Sequence, residues 1–143
     1  MKACLDTSAL IRAARLGIVP EGTTRAHSVA EFYCVLTGPG IVVLREGKTV
    51  KVRLAPAEAR TAALKTFARV SWRDVSGREA LAALEPAVKS NLAGKLIHDY
   101  MHAEAAALAE CDAVMTLNAK DFVRLVPKRI KVVAPAEYFA AKD

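Results

Sequence analysis

The chain has 143 residues, of which 53% are hydrophobic and 25% are charged. A chain of this size and composition can bury one sizeable core, and it lacks the apolar stretch of about 20 residues that a membrane-spanning helix needs. We therefore expect a single domain over residues 1–143 and no membrane insertion. The first residues lack the layout of a signal peptide, which predicts a cytoplasmic protein.

The net charge of +6 and the isoelectric point near 9.4 suggest a polyanionic partner. Lys and Arg side chains in clusters can hold the phosphate backbone of a nucleic acid. A solvated surface explains the same charge, and charge alone favours that simpler interpretation. The basic residues form two groups, Arg45, Lys48, Lys51 and Arg53, and then Lys120, Arg124, Lys128, Arg129 and Lys131.

The hydrophobic pattern predicts alternating strands and helices, which favours an α/β domain with a mostly parallel sheet. Residues 20–24 are predicted to form a turn, and the first helix is predicted to be capped by Thr7 or Ser8. Pro86 is expected to kink or end its helix. In chain order the predicted elements are a strand at 2–5, helices at 8–16 and 26–37, a β-hairpin at 41–54, a helix at 56–67, a strand at 70–72, helices at 76–89 and 98–110, a strand at 113–116, a short helix at 119–125, a strand at 130–133 and a helical turn at 135–140.

Two further patterns concern the interior of the domain. The helix at 98–110 has an apolar stripe formed by Ile97, Met101, Ala105 and Leu108, which predicts its buried face. The three cysteines lack C-x-x-C spacing and lie in apolar segments, so they are predicted to be reduced core residues. They are Cys4, Cys34 and Cys111.

Four acidic residues stand in settings that favour a functional site: Asp6, Glu31, Asp99 and Asp121. Asp6 and Asp121 follow predicted strands, and sites in α/β sheets form beyond the carboxyl ends of the strands. Carboxylates that converge on one place repel one another strongly unless a cation joins them. A hard divalent ion such as Mg²⁺ or Mn²⁺ prefers these oxygen ligands, so the pattern points to metal-dependent chemistry on phosphodiesters.

Each of these residues also has a structural interpretation. Asp6 is a good N-cap for the helix that follows it, and Glu31 lies at the border of an apolar helix face, where a surface glutamate is common. The helix dipole favours an aspartate such as Asp99 in a first turn. Asn118 and Asp121 both follow the strand at 113–116, and either one could cap the next helix.

Two histidines and one further aspartate are less promising as site residues. His98 and His102 have the i, i+4 spacing of helix-borne metal ligands, but the pattern H-D-x-x-H lacks the glutamate of the zinc motif. Packing or surface roles are more consistent with both. Asp112 precedes the strand at 113–116 and is predicted to be a structural turn or cap residue.

Four segments, taken in this order, resemble the PIN-domain ribonucleases, and specifically the VapC-like toxins of type II toxin–antitoxin systems. The resemblance runs over the full length and implies an α/β fold, a three-layer α/β/α PIN-like domain with a mostly parallel central sheet. The chain departs from the family in the hairpin at 41–54, which is longer and more β-like than the usual connection. The matching segments are Leu5-Asp6-Thr7-Ser8-Ala9-Leu10-Ile11, His27-Ser28-Val29-Ala30-Glu31-Phe32-Tyr33-Cys34-Val35-Leu36-Thr37, Ile97-His98-Asp99 and Thr116-Leu117-Asn118-Ala119-Lys120-Asp121-Phe122.

By this resemblance, Asp6, Glu31 and Asp99 match three acidic ligands of a bound Mg²⁺ or Mn²⁺. The fourth position falls within residues 118–121, where Asp121 is the preferred acid and Asn118 a supporting residue. The resemblance also implies supporting hydroxyl groups that steady the first aspartate or the water shell of the metal. These hydroxyl groups belong to Thr7, Ser8 and Thr116.

The resemblance implies a metal-dependent endoribonuclease that hydrolyses RNA phosphodiester bonds, the toxin of a toxin–antitoxin pair. Its expected partners are RNA, a cognate antitoxin protein and a second copy of the chain in a homodimer. Two alternatives belong to other classes. One is a catalytically inactive PIN-like binding module that acts through a partner protein, and the other is a DNA-directed nuclease.

Overall fold

The computed structural model describes residues 1–140, so the last three residues of the predicted domain lie outside the described residues. The elements alternate as the sequence predicts. They are β1 (Ala3–Leu5), α1 (Thr7–Arg15), β2 (Gly22–Thr24), α2 (His27–Thr37), β3 (Ile41–Arg45), β4 (Lys48–Val52), α3 (Pro56–Thr66), β5 (Val70–Trp72), α4 (Gly77–Lys89), α5 (Leu96–Leu108), β6 (Ala113–Met115), α6 (Ala119–Phe122), β7 (Lys131–Val133) and α7 (Pro135–Ala140).

Five strands form a central sheet in the order β5-β2-β1-β6-β7, and every neighbouring pair is parallel. The predicted α/β fold with a mostly parallel central sheet is therefore confirmed. The predicted turn at residues 20–24 is wrong, because Gly22–Thr24 forms β2 between β1 and β5. Three residues are too few to display a strand period, so the sequence around them shows only its Pro and Gly.

Helices cover both faces of the sheet. Side chains of a strand alternate between faces, and in β1 Ala3 and Leu5 join one core cluster whereas Cys4 joins another. The first cluster contains residues of α1, α2, α3 and α7, and the second contains residues of α5 and α6. The arrangement is consistent with the three-layer α/β/α organisation of a PIN-like fold.

Local details correct several expectations about the helices. The buried face of α5 consists of Tyr100, His102 and small alanines, and Leu108 from the predicted stripe is 37% exposed. Because alanines allow close packing, much of the buried face carries small side chains, and the large apolar Leu108 is a poor guide to it. Cys34 is exposed, although Cys4 and Cys111 are buried as predicted.

Helix α4 begins at the predicted capping box and passes the predicted breaker. The Ser76 hydroxyl accepts a hydrogen bond from the Glu79 backbone N–H, and the Glu79 carboxylate accepts one from the Ser76 N–H. Pro86 neither ends the helix nor starts a loop, since α4 continues to Lys89. Proline lacks its own N–H and its ring crowds the carbonyl four residues earlier, but only the rest of the last turn follows Pro86, so the helix is disturbed near its end alone.

Strands β3 and β4 form an antiparallel ribbon separate from the central sheet, where the sequence predicts a hairpin. Glu46 and Gly47 connect them, and both have positive φ angles, of 50° and 74°. Positive φ at both central residues is the mark of a type I′ turn, which matches the twist of the two strands. At the base of the ribbon, the Leu54 N–H donates to the Leu36 carbonyl at 2.8 Å and ties it to α2.

Gly40 closes the base of this ribbon, and Gly40→Ala is expected to lower the free energy of unfolding by about 2–4 kcal/mol. Gly40 has a φ of 86°, and an added Cβ would lie 2.6 Å from the carbonyl oxygen of Val52. Gly47→Ala is the control, because φ is 74° there but nothing lies within 4 Å of the added Cβ. It should cost only about 1 kcal/mol. Urea unfolding measures both, and equal losses would contradict the steric argument.

None of the helices within residues 1–140 has the length and apolarity to span a bilayer.

Candidate functional site

The candidate site lies where β1 and β6 end side by side. Leu5 pairs with Met115 in parallel register, so the residues that follow, Asp6 and Thr116, emerge at the same edge of the sheet. The Asp6 N–H donates to the Met115 carbonyl at 3.2 Å, which fixes this juxtaposition. The edge is the carboxyl end of the strands, where α/β sheets place their sites.

Asp6 is 5% exposed and is held from three sides. Its Oδ1 accepts hydrogen bonds from the Ser8 hydroxyl at 2.7 Å and from the Ala9 N–H at 2.9 Å. Its Oδ2 accepts one from the Thr116 hydroxyl at 2.5 Å. Burial raises the pKa of Asp6, while the donated hydrogen bonds and the nearby His102 oppose that rise. The carboxylate is thus a rigid group in a strongly polar setting.

The same network joins α1 to the end of β6. Ser8 Oγ accepts the Leu117 N–H at 3.0 Å, and Thr116 Oγ1 accepts the Asn118 N–H at 2.9 Å. Asp6, rather than Thr7 or Ser8, is the N-cap of α1, so the predicted cap is wrong and the alternative considered for Asp6 is correct. Capping leaves one lone pair of Oδ2 free, because a carboxylate has about four acceptor positions.

Helix α2, which carries Glu31, is tied to this edge by its first turn. The buried Thr24 hydroxyl donates to the Leu5 carbonyl at 2.8 Å and lies 3.1 Å from the Ser28 hydroxyl. Asp74, which follows β5, accepts the Ala26 N–H at 2.9 Å. These contacts join the ends of three neighbouring strands to the start of the helix and bring Glu31 towards Asp6.

Glu31 is half-buried between two imidazoles. Its Oε1 lies 3.6 Å from His27 Nε2 and 3.4 Å from His102 Nε2. The contact with His102 is the main reason that the pKa of Glu31 lies below its ordinary value, against the opposing effect of burial. Neither contact has the geometry of a hydrogen bond, since Oε1 is buried without a hydrogen-bond partner. The contacts are ion pairs when the histidines are protonated.

The charges of the other three predicted acids all act on Asp99. Burial raises the pKa of Asp99, the charges of Asp6, Asp121 and Glu31 raise it further, and His102 lowers it. Like charges that act on one another in this way disfavour full ionisation. Asp6, Glu31 and Asp121 thus lie within electrostatic range of Asp99, although the four residues belong to different elements or their ends. We call these four residues the acidic cluster.

The supporting residues divide into three kinds. Ser8 and Thr116 contact Asp6, as the preceding distances show. The Thr7 hydroxyl is buried without a hydrogen-bond partner, near Glu31. Asn118 is exposed and its side chain makes no capping hydrogen bond, whereas Asp121 lies in the first turn of α6 and acts on Asp99. The charge of Asp121 thus reaches Asp99, which is consistent with the prediction of Asp121 as the fourth acid.

Asp112 lies at the opposite edge of the sheet, as its position before β6 predicts. Its carboxylate accepts the Lys2 N–H at 2.7 Å and its own N–H donates to the Lys2 carbonyl at 2.8 Å. These bonds fasten β1 to the start of β6. Asp112 is thus a structural residue.

The acidic cluster offers the kind of ligand atom that a divalent cation such as Mg²⁺ prefers. All four groups offer carboxylate oxygens, which Mg²⁺ and Mn²⁺ prefer, and Glu31 Oε1 is buried without a hydrogen-bond partner. As the side chains stand, no group of three His, Cys, Asp or Glu residues in the described chain is positioned to hold a metal ion. An ion would therefore have to draw the carboxylates inwards.

The electrostatics predict a pH-dependent effect of Asp99→Asn on stability. With EDTA present, the variant should be more stable than the wild type at neutral pH, by less than about 1 kcal/mol because the group is partly exposed and screened by water. A raised pKa in the folded state destabilises the fold only above the ordinary value of 3.8, so the difference should appear as the pH rises through the raised pKa. Urea unfolding near neutral pH and at about pH 3.5 measures it. An equal difference at both pH values would contradict the electrostatic explanation.

Sequence reasoning missed one residue of this site. The sequence predicts a packing or surface role for His102. Its side chain is buried, with 4% exposure, but it also contacts Glu31. Its i, i+3 spacing from Asp99 places both residues on the same side of α5. That spacing was the available signal.

No protein-family model matches the chain, and no curated protein sequence matches it significantly.

Proposed function

We propose that this protein is a metal-dependent endoribonuclease that hydrolyses RNA phosphodiester bonds. The proposal is supported above all by the position of Asp6 at the carboxyl edge of a parallel sheet and by the charges of Asp6, Glu31 and Asp121, which act on Asp99. Carboxyl groups whose charges disfavour ionisation of a neighbour in a partly buried site are unfavourable unless they serve to hold a cation. The resemblance of the matching segments to PIN-domain ribonucleases supports the same chemistry.

A bound Mg²⁺ or Mn²⁺ would lower the pKa of a coordinated water and neutralise the charge that develops on the scissile phosphate. Asp6 and Asp99 are the proposed main ligands, with Glu31 and Asp121 holding bound waters or a second ion. Asp6 is oriented by Ser8 and Thr116, and its free lone pair is on Oδ2.

The remaining carboxylates have a role in proton transfer. The attacking water must lose a proton, and a carboxylate at hydrogen-bond distance can accept it. Glu31 or Asp121, which would hold bound waters, would take this proton.

Exposed cations supply the proposed contacts to the RNA backbone. Arg45, Lys48 and Lys51 on the ribbon and Arg53 just after it are exposed and form no ion pair among residues 1–140. The same holds for Lys120 in α6 and Arg124 just after it. Unpaired Lys and Arg side chains release counterions when they meet phosphates, which favours binding at low salt.

The partners and the place of action are further parts of the proposal. We propose a toxin that acts on RNA in the cytoplasm, is neutralised by an antitoxin protein and pairs as a homodimer; these parts rest on the resemblance alone. An apolar groove of about 750 Å³ between α2 and α3 offers a surface for a protein, with Val29, Tyr33 and Leu64 in its lining. The groove itself does not distinguish a second copy from another protein.

The test is cleavage of end-labelled RNA by the purified protein with Mg²⁺, with Mn²⁺ and with EDTA, beside single-stranded DNA of the same sequence. Cleavage of RNA only, lost in EDTA, is the expected result. Cleavage of DNA in preference to RNA would replace the proposal with a DNA-directed nuclease. No cleavage by a folded, metal-loaded protein would favour the binding module that acts through a partner.

A further inference from the structure

Among the three histidines, His102 is the buried one. It is 4% exposed, and its Nδ1 is buried without a hydrogen-bond partner. A buried polar atom without a partner destabilises the folded state. A leucine or methionine would fill the same space without that cost, so packing alone does not account for an imidazole here.

The other ring nitrogen points to its role. His102 Nε2 lies 3.4 Å from Glu31 Oε1. Glu31 belongs to α2 and His102 to α5, and these helices lie on opposite faces of the sheet, in different core clusters. Because the sheet separates the two layers, the side chains can meet only beyond the strand ends. That place is the edge that carries the acidic cluster.

His102 also acts on the other acids of the cluster. It opposes the rise in the pKa of Asp6 and of Asp99, as well as lowering that of Glu31. Asp99 lies on the same helix, three residues earlier, so one side of α5 presents both an acid and an imidazole to the cluster. His102 is therefore a neighbour of three candidate metal ligands and is itself mostly removed from solvent.

We propose that His102 is a positioning residue that holds the Glu31 carboxylate in place for a divalent cation at the acidic cluster. The inference rests on the proposed function, since it assigns a role at the same site. Carboxylate ligands that are fixed by a neighbouring side chain bind a metal more tightly than free ones, because less freedom is lost when the ion binds. His27 is a weaker candidate for this role, because it is exposed and 3.6 Å from the same oxygen.

The experiment measures Mn²⁺ affinity of the full chain by isothermal titration, with cleavage and thermal unfolding measured alongside. His102→Leu should weaken Mn²⁺ binding by about 10- to 100-fold, as removal of a partner of a metal ligand commonly does. Its unfolding temperature should change little, because removal of the unpaired Nδ1 offsets loss of the contact with Glu31. If that variant does not fold, His102→Met fills the same space with a more flexible side chain and replaces it.

Two further variants separate positioning from packing. His102→Gln, which keeps an amide N–H donor, should restore most of the Mn²⁺ affinity. His98→Leu, the matched control at an exposed position of the same helix, should change it less than about two-fold. In a Glu31→Gln background, His102→Leu should have almost no additional effect if it acts through Glu31.

The outcomes distinguish this inference from the function on which it rests. A wild type that binds Mn²⁺ and cleaves RNA, together with an unchanged affinity in His102→Leu, overturns the role of His102 and leaves the nuclease intact. Equal losses in the Glu31 and Glu31→Gln backgrounds also overturn it. A wild type that does not bind Mn²⁺ at all overturns the proposed function and the role of His102 together.

Discussion

Asp6→Asn is expected to reduce metal-dependent RNA cleavage on the order of 1,000-fold while the protein remains folded. Partners of a metal ligand typically contribute 10- to 100-fold, so a direct ligand should contribute more. The fold should survive because the asparagine carbonyl can still accept from Ser8 and Ala9. Its amide can donate to the Thr116 hydroxyl, which has a second acceptor position.

The measurement is the initial rate of cleavage at saturating Mn²⁺, with urea unfolding as the check on the fold. Asp112→Asn is the matched control, because that carboxylate lies at the opposite edge of the sheet and binds only the Lys2 backbone among the contacts described. It should retain nearly full activity. Wild-type rates in Asp6→Asn would contradict the assignment of Asp6 as a ligand, whatever the behaviour of the control.

Thr116→Val is expected to lower the free energy of unfolding by about 2–4 kcal/mol at neutral pH. The Thr116 hydroxyl is fully buried, donates to Asp6 Oδ2 and accepts from the Asn118 N–H. Valine has almost the same shape, so packing is preserved and the loss comes from two unpaired polar groups. One of them is a buried carboxylate, for which an unmade hydrogen bond is especially unfavourable.

Two substitutions bracket this result in urea unfolding. Thr116→Ser keeps the hydroxyl and should cost no more than about 1 kcal/mol. Thr61→Val repeats the chemical change on an exposed helix position, where Thr61 only donates to the Ala57 carbonyl, and should cost less than about 0.5 kcal/mol. If Thr116→Val lowered the free energy of unfolding by less than about 0.5 kcal/mol, the hydroxyl network would contribute little to stability.

The alternation of elements could be predicted because the longer ones carry a clear period or cap. The capping box of Ser76 and Glu79 predicts the start of α4, and the apolar run of Ala113–Met115 predicts a buried strand. Strand β2 could not be predicted, because its three residues form a strand only through their pairing with β1 and β5. Its existence depends on contacts that are distant in sequence.

The candidate site also has a part that the sequence predicts and a part that depends on contacts distant in sequence. Asp6 and Asp121 follow strands, and a parallel sheet gathers such positions by topology alone. Whether Glu31 lies near them depends on the direction of α2, which Thr24 and Asp74 fix through hydrogen bonds that no sequence pattern shows. No sequence pattern shows the contact of His102 with Glu31 either, since it joins helices from opposite sides of the sheet.

The separate ribbon of β3 and β4 has a consequence for the behaviour of the protein in solution. Within the part of the chain that the structure describes, each strand pairs only with the other, so each keeps one edge of unpaired backbone groups. Such edges invite strand addition from other molecules, and the exposed Leu44 adds an apolar surface. Lysines on an edge strand oppose this through charge repulsion, so Lys48 and Lys51 protect the ribbon against aggregation. A polyanion that neutralises them would weaken that protection unless it also covers the ribbon.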